Sequence, residues 1–112
     1  MSMAFAVEAP PLREDAKGGL RIGASRVLVE LVIRAFKDGA TPEAIVQRYP
    51  TTTLPDIYGV IAYYLRHQAE MEAYLMTREH QAQEVRARIE AQQRDIAALR
   101  HRLLARQQTV VG

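Results

Sequence analysis

Between Val60 and Val111 the chain contains neither proline nor glycine. The stretch is rich in Ala, Glu, Gln, Arg and Leu, all good helix formers, so it has little choice but to be helical. The pattern predicts a helix, with a kink admitted near Arg66 to Glu70, running to about Arg106. From Ala69 onward such a helix measures about 57 Å at ~1.5 Å per residue, longer than a small domain is wide. Its apolar side therefore needs a cover. That side is regular: Leu75, Ala82, Ile89, Ile96 and Leu103 recur every seven residues, with Met71, Val85 and Leu99 between them. Lettered as heptads, the first set occupies a and the second d, while Arg78, Gln92 and Arg106 also fall at d. Asp95 (g) and Arg100 (e) are placed to pair across a parallel two-stranded coil. These eight apolar residues are the helix-association candidates, and a homodimer through the long helix is the expected assembly. The plainer alternatives are packing on the chain's own head, or fraying. A head this small leaves much of so long a stripe uncovered.

Upstream, the residues to Pro11 read as a flexible leader. Leu12 to Ile22 then forms two short segments around Gly18-Gly19, a small β-hairpin or extended pair. From Leu28 a helical period appears in Leu28, Leu31, Val32, Ala35 and Phe36, with Gly39 where a left-handed C-terminal cap would sit. Thr41-Pro42-Glu43 announces a second, short helix: a capping hydroxyl, a proline tolerated at the first position, and an acid that complements the helix dipole. Ile45 and Val46 are its inward residues, and Pro50 limits its length. Thr53-Leu54-Pro55-Asp56 opens a third helix whose stripe is Ile57, Val60, Ile61, Tyr64 and Leu65. Two helices joined by a few residues over one shared stripe follow the plan of a helix-turn-helix unit.

With 112 residues, 48% of them hydrophobic and 25% charged, the chain suits one ordinary folded domain. Expected boundaries are 1–11 for the leader, 12–66 for the head, 67–107 for the long helix and 108–112 for a frayed tail. There is no cysteine, which excludes disulfides and thiolate metal sites. Met1 to Glu8 has no basic residue ahead of its apolar stretch and does not read as a signal peptide. The most apolar run, Val27 to Phe36, is interrupted by Glu30 and Arg34 and is too short to span a bilayer. The expected location is cytoplasmic, with no membrane partner. A net charge of +2 permits nucleic acid without demanding it. The most positive part is the C-terminal end, where Arg86, Arg88, Arg94, Arg100, Arg102 and Arg106 face only Glu90 and Asp95.

The segment from Leu20 to Tyr64 resembles a bacterial family called domain of unknown function 433. Matching residues are Ile22, Arg26, Val27, Gly39, Thr41, Pro42, Glu43, Ile45, Tyr49, Pro50, Asp56, Ile57, Ala62 and Tyr63. Ala24-Ser25 replaces the family's usual Gly-Thr. The resemblance implies a mainly α fold: a winged or homeodomain-like helix-turn-helix head with a small N-terminal β-hairpin, followed by a long C-terminal helix. It also implies the antitoxin side of toxin–antitoxin pairs, in the manner of VapB-type antitoxins. Such a protein binds operator DNA through its head and a PIN-type ribonuclease toxin through its tail.

Weighed on residues, DNA binding would put the third helix in the major groove. Its non-core residues Thr51, Thr52, Thr53, Asp56, Tyr58, Gly59 and Tyr63 include no Arg, Lys, Asn or Gln, the types that make the commonest specific base contacts. Asp56 would oppose a polyanion unless it caps the helix. Arg13, Lys17, Arg21 and Arg26 could form a basic wing on phosphates. Arg26 has a second role open to it, hydrogen-bonding loop carbonyls beside Ser25. The DNA-contact candidates are therefore Arg13, Lys17, Arg21, Arg26, Thr51, Thr52, Thr53, Tyr58 and Tyr63.

No catalytic, metal or cofactor site is expected. His67, His80 and His101 are too far apart for a ligand set. The glycines at 18, 19 and 23 match no phosphate-binding pattern, and Ser25 has no base placed beside it. Glu70, Glu72, Glu79 and Glu84 read as a solvated helix face, and Tyr49, Tyr63 and Tyr64 as core or rim aromatics. Two functions remain in competition: an antitoxin-like DNA-binding regulator, and a dimerisation or protein-interaction module that shares the fold without DNA contacts.

Overall fold

A computed structural model describes the backbone over residues 6–110 and the side chains over 6–107. The start of the expected leader, 1–5, and the last two residues of the expected frayed tail lie outside the described residues. The elements are β1 (Leu12–Glu14), β2 (Leu20–Ile22), α1 (Val29–Lys37), α2 (Pro42–Arg48), α3 (Leu54–Arg66) and α4 (Gln68–Val110). The architecture is the mainly helical one expected, with a small N-terminal hairpin, three short helices and a long C-terminal helix. The chain divides into two compact units, Met1–Leu75 and Met76–Gly112.

In the first unit β1 and β2 pair antiparallel, Leu12 opposite Ile22 and Glu14 opposite Leu20. Asp15 organises the turn between them. Its Oδ1 accepts from the N–H groups of Lys17 (2.9 Å) and Gly19 (2.8 Å), and its Oδ2 from Arg21 Nε at 3.0 Å. Gly18 supplies the left-handed residue at φ +81°. The Gly19 amide, then the Lys17 amide, then Arg21 hold the Asp15 carboxyl below its ordinary value near 3.8. A carboxyl with a lowered folded pKa stabilises the fold above its unfolded pKa and loses that effect as pH falls through the folded value. Asp15→Asn is accordingly expected to lower the melting temperature at neutral pH. The difference should vanish on acidification well below the carboxylate range, as thermal scans at several pH values would show.

The hairpin feeds α1 through a tight corner. Ser25 Oγ donates to the Ile22 carbonyl (2.6 Å) and accepts from Val27 N–H (3.2 Å). Gly23 sits at φ +55°, and a Cβ there would lie 2.3 Å from Asp56 Oδ2. Backbone geometry and space both require glycine at this position. Leu28, extended, bridges Arg21 and precedes α1. This placement sets the buried face of α1 as Val29, Val32, Ile33 and Ala35, leaving Leu31 40% exposed. Of the expected stripe, Val32 and Ala35 are buried and Phe36 packs on the core, while Val29 and Ile33 take the inward places expected of Leu28 and Leu31. After α1, Gly39 at φ +96° donates to Phe36 O and Ala40 to Ala35 O, a complete Schellman cap.

Thr41 Oγ1 accepts from Ala44 N–H at the start of α2, and Thr53 Oγ1 from Asp56 N–H at the start of α3. Threonine, not Asp56, is the side chain that caps α3. Ile45, Ile57, Val60, Ile61 and Tyr64 join the α1 residues and Ile22 in one core. α3 stops at His67, whose ring stacks on Tyr63 with centroids 4.2 Å apart. Its Nδ1 lies 3.1 Å from Tyr63 O, while its backbone N–H donates to the Tyr63 and Tyr64 carbonyls. The break falls within the expected kink region and involves neither proline nor glycine.

Met71, in the first turns of α4, is 3% exposed and belongs to this core, with Tyr74 and Leu75 packed against it. The head therefore extends to Leu75 rather than ending at Arg66. Tyr74 Oη accepts from Leu20 N–H (2.7 Å) and donates to Glu30 (3.2 Å), tying α4 to β2 and α1. Glu72 accepts from Tyr64 Oη at 2.5 Å and pairs with Lys37 at 2.5 Å, so it is tied to the head although its side chain stays 42% exposed.

The second unit is helix alone. Helix is observed through Val110, past the expected limit near Arg106. Local ion pairs along it include Arg86 with Glu79 (3.1 Å) and His80 with Glu84 (3.1 Å).

Candidate functional site

Two surfaces compete, the face of α3 with the hairpin, and the stripe of α4. On the first, much of the expected DNA-contact set has structural work. The Arg13 guanidinium donates to the carbonyls of Gly23 and Ser25, the role sequence reading had offered to Arg26. Arg21 pairs with Asp15 and donates to the Arg26 carbonyl. Thr52 is 5% exposed and gives its hydroxyl to Tyr49 O at 2.6 Å. Thr53 is occupied as the α3 cap. The Tyr63 ring is half-buried on His67.

Tyr58 is exposed, but its hydroxyl donates to Glu43 at 2.7 Å. That one hydrogen bond raises the Tyr58 pKa and lowers that of Glu43, which fixes a carboxylate beside the most prominent polar group of α3. A carboxylate there repels a phosphate backbone. Gly59 is approached by Pro11, whose ring carbons would lie 3.1 Å from an added Cβ, so the end of the leader covers part of this face. Of the nine candidates, Lys17, Arg26 and Thr51 are exposed with no side-chain hydrogen bond or ion pair among the described residues. α3 also presents Leu54 and Leu65 outward, on one face with Tyr58, and ends in the exposed Arg66.

The α4 candidates divide in two. Met71 is buried in the head and Leu75 is partly buried against the same core, which sets both apart from the other association candidates. Ala82 is half-buried within its own helix. Val85, Ile89, Ile96, Leu99 and Leu103 are between 47% and 64% exposed. An α-helix brings its a and d positions onto one side, so these residues share an apolar stripe interrupted at Gln92. Leu99 and Leu103, with Arg102 and Arg106, line a shallow groove on it. Met76 and Leu104 are also exposed, at heptad position b beside the stripe. The seven-residue period runs through these residues and the head residues alike. It missed where the head ends, because Met71 and Leu75 keep the same helical phase.

Among the described residues no cluster of three His, Cys, Asp or Glu side chains could hold a metal ion. No helix is long and apolar enough to cross a membrane. The model of the family described as Protein of unknown function (DUF433) matches residues 14–64, from the hairpin through most of α3. No curated protein and no solved structure matches the chain.

Proposed function

We propose that this chain, whose residues 14–64 match the DUF433 family model, is a self-associating binding module in which α4 pairs with α4 of a second copy. The supporting observation is the heptad stripe of half-exposed Val85, Ile89, Ile96, Leu99 and Leu103 on a helix with no other element in its unit. Leaving such a stripe in water forfeits the free energy of apolar burial, roughly 25 cal/mol for each Å² covered. A second α4 carries the matching repeat. Light scattering on the full chain and on a truncation after Thr77 tests this. The full chain is expected to be dimeric and the truncation, which keeps the first compact unit, monomeric. A monomeric full chain at micromolar concentration would refute the proposal.

A second reading is that of an antitoxin-like regulator, with operator DNA on the head and a PIN-type toxin on the tail. The order of α2 and α3 favours it, as do the exposed side chains of Lys17, Arg26 and Thr51, which hold no side-chain hydrogen bond or ion pair among the described residues. It calls for a salt-dependent mobility shift with the neighbouring operator and a toxin reading frame beside this one. Absence of a shift at low salt counts against it. Both readings place the protein in the cytoplasm and assign it no catalysis.

A further inference from the structure

We infer that the two α4 helices run parallel and in register, with Gln92 setting the alignment. The inference rests on the self-association proposed above and adds a direction to it. Between Ala82 and Leu103 every a and d position is apolar except Gln92. In a parallel, in-register pair the two Gln92 amides meet across the two-fold axis, where each donates to and accepts from the other. A slip of one heptad sets Gln92 against Val85 on one side and Leu99 on the other, leaving two amides without partners. A polar residue at a seam position fixes register in this way. The neighbouring layers agree, since Ile89 and Ile96 at a with Leu99 at d is the combination that favours two parallel strands.

Charge is compatible with this arrangement. Each g position faces the e position five residues on in the partner, which pairs Asp95 with Arg100 and Gln81 with Arg86. Arg88 then meets Gln93, and Arg102 meets Gln107, so no like charges oppose among the g–e pairs; Arg78 and Arg106, at d, face their own copies beyond the two ends of the Ala82–Leu103 layers. The best antiparallel arrangement sets Ile89 against the partner's Gln92. It gains Arg88 with the partner's Asp95 and Arg100 with the partner's Glu79. Glu79 already pairs with Arg86 of its own chain at 3.1 Å, and exposed ion pairs are weak. An amide buried against isoleucine loses more than such a pair returns. Parallel pairing also makes both chains enter the coil at the same end, so that one dimer offers its two heads to a single bivalent target.

The absence of cysteine from the chain makes this testable by cross-linking. Full-length Val85→Cys and Leu99→Cys, each alone, should oxidise to disulfide dimers. Facing d positions in a parallel pair are close enough to bridge. Yields should exceed that of the outward Glu90→Cys control by about tenfold, as held thiols outcompete random collision. A mixture of Ala82→Cys and Leu99→Cys should give no heterodimer, and adding Gln92→Leu to both should make it appear. A strong 82–99 heterodimer without Gln92→Leu, in a protein that light scattering reports as dimeric, would overturn the parallel direction and leave self-association standing. A trimer or tetramer would overturn the two-stranded pairing. An unchanged pattern on Gln92→Leu would remove the register role of Gln92. A monomer would overturn the underlying proposal itself.

Discussion

Met71→Ala should destabilise the head by about 2–5 kcal/mol, the usual cost of truncating a fully buried methionine, while leaving self-association through α4 unchanged. Met71 is 3% exposed and lies in the core with Val32, Ile33 and Tyr64. It is the apolar anchor of a set of contacts that docks the first turns of α4. Glu72 adds the Lys37 ion pair and the Tyr64 hydroxyl, and Tyr74 adds Leu20 N–H and Glu30. Folded domains retain only some 5–15 kcal/mol in total, so a loss of this size removes much of the head's margin. Urea unfolding of the truncation after Thr77 reads the head without the association. Light scattering of the full-length variant reads the association without the head. Were Met71 a seam residue, the two readouts would exchange.

The contrast shows what was legible in the sequence and what was not. Features set by neighbours in the chain were readable: the Thr41-Pro42 and Thr53 starts, the left-handed Gly39, the hairpin around Gly18. Each depends on a backbone group that a side chain a few residues away must satisfy or permit. The phase of α1 was not readable, because Val27, Leu28, Val29, Leu31, Val32 and Ile33 offer two apolar faces. Leu28 is extended and bridges Arg21, so it precedes the helix and the inward places fall to Val29 and Ile33 beside Val32. The roles of Arg13 and Arg26 were exchanged for a similar reason. Which guanidinium reaches the Gly23 and Ser25 carbonyls depends on strand pairing, which the corner's own residues do not encode. On α4 the stripe itself was legible from period alone. Its division between head and free helix was not, since Met71, Leu75 and Ala82 continue one phase and only tertiary packing separates them.

Ile89→Asp combined with Ile96→Asp should convert the dimer to monomer and leave the melting of the head where it was. Both side chains lie in the second unit, outside the core of the head, and are 48% and 64% exposed. Within a coil they occupy consecutive a layers on either side of Gln92, and the pair would place four carboxylates in the seam. The apolar burial given up, with the desolvation of those charges, comes to at least ~4 kcal/mol. At 1.4 kcal/mol per decade that is a rise of about a thousandfold in the dissociation constant. Sedimentation across a concentration series measures it, with Arg94→Asp at the outward f position as the charge control that keeps the dimer. Acidification below the carboxylate range should restore part of the association, because a protonated aspartate enters an apolar layer at lower cost. If the double variant still dimerised, the α4 stripe would be free in solution. The contact between copies would then pass to the outward apolar residues of α3, Leu54, Tyr58 and Leu65.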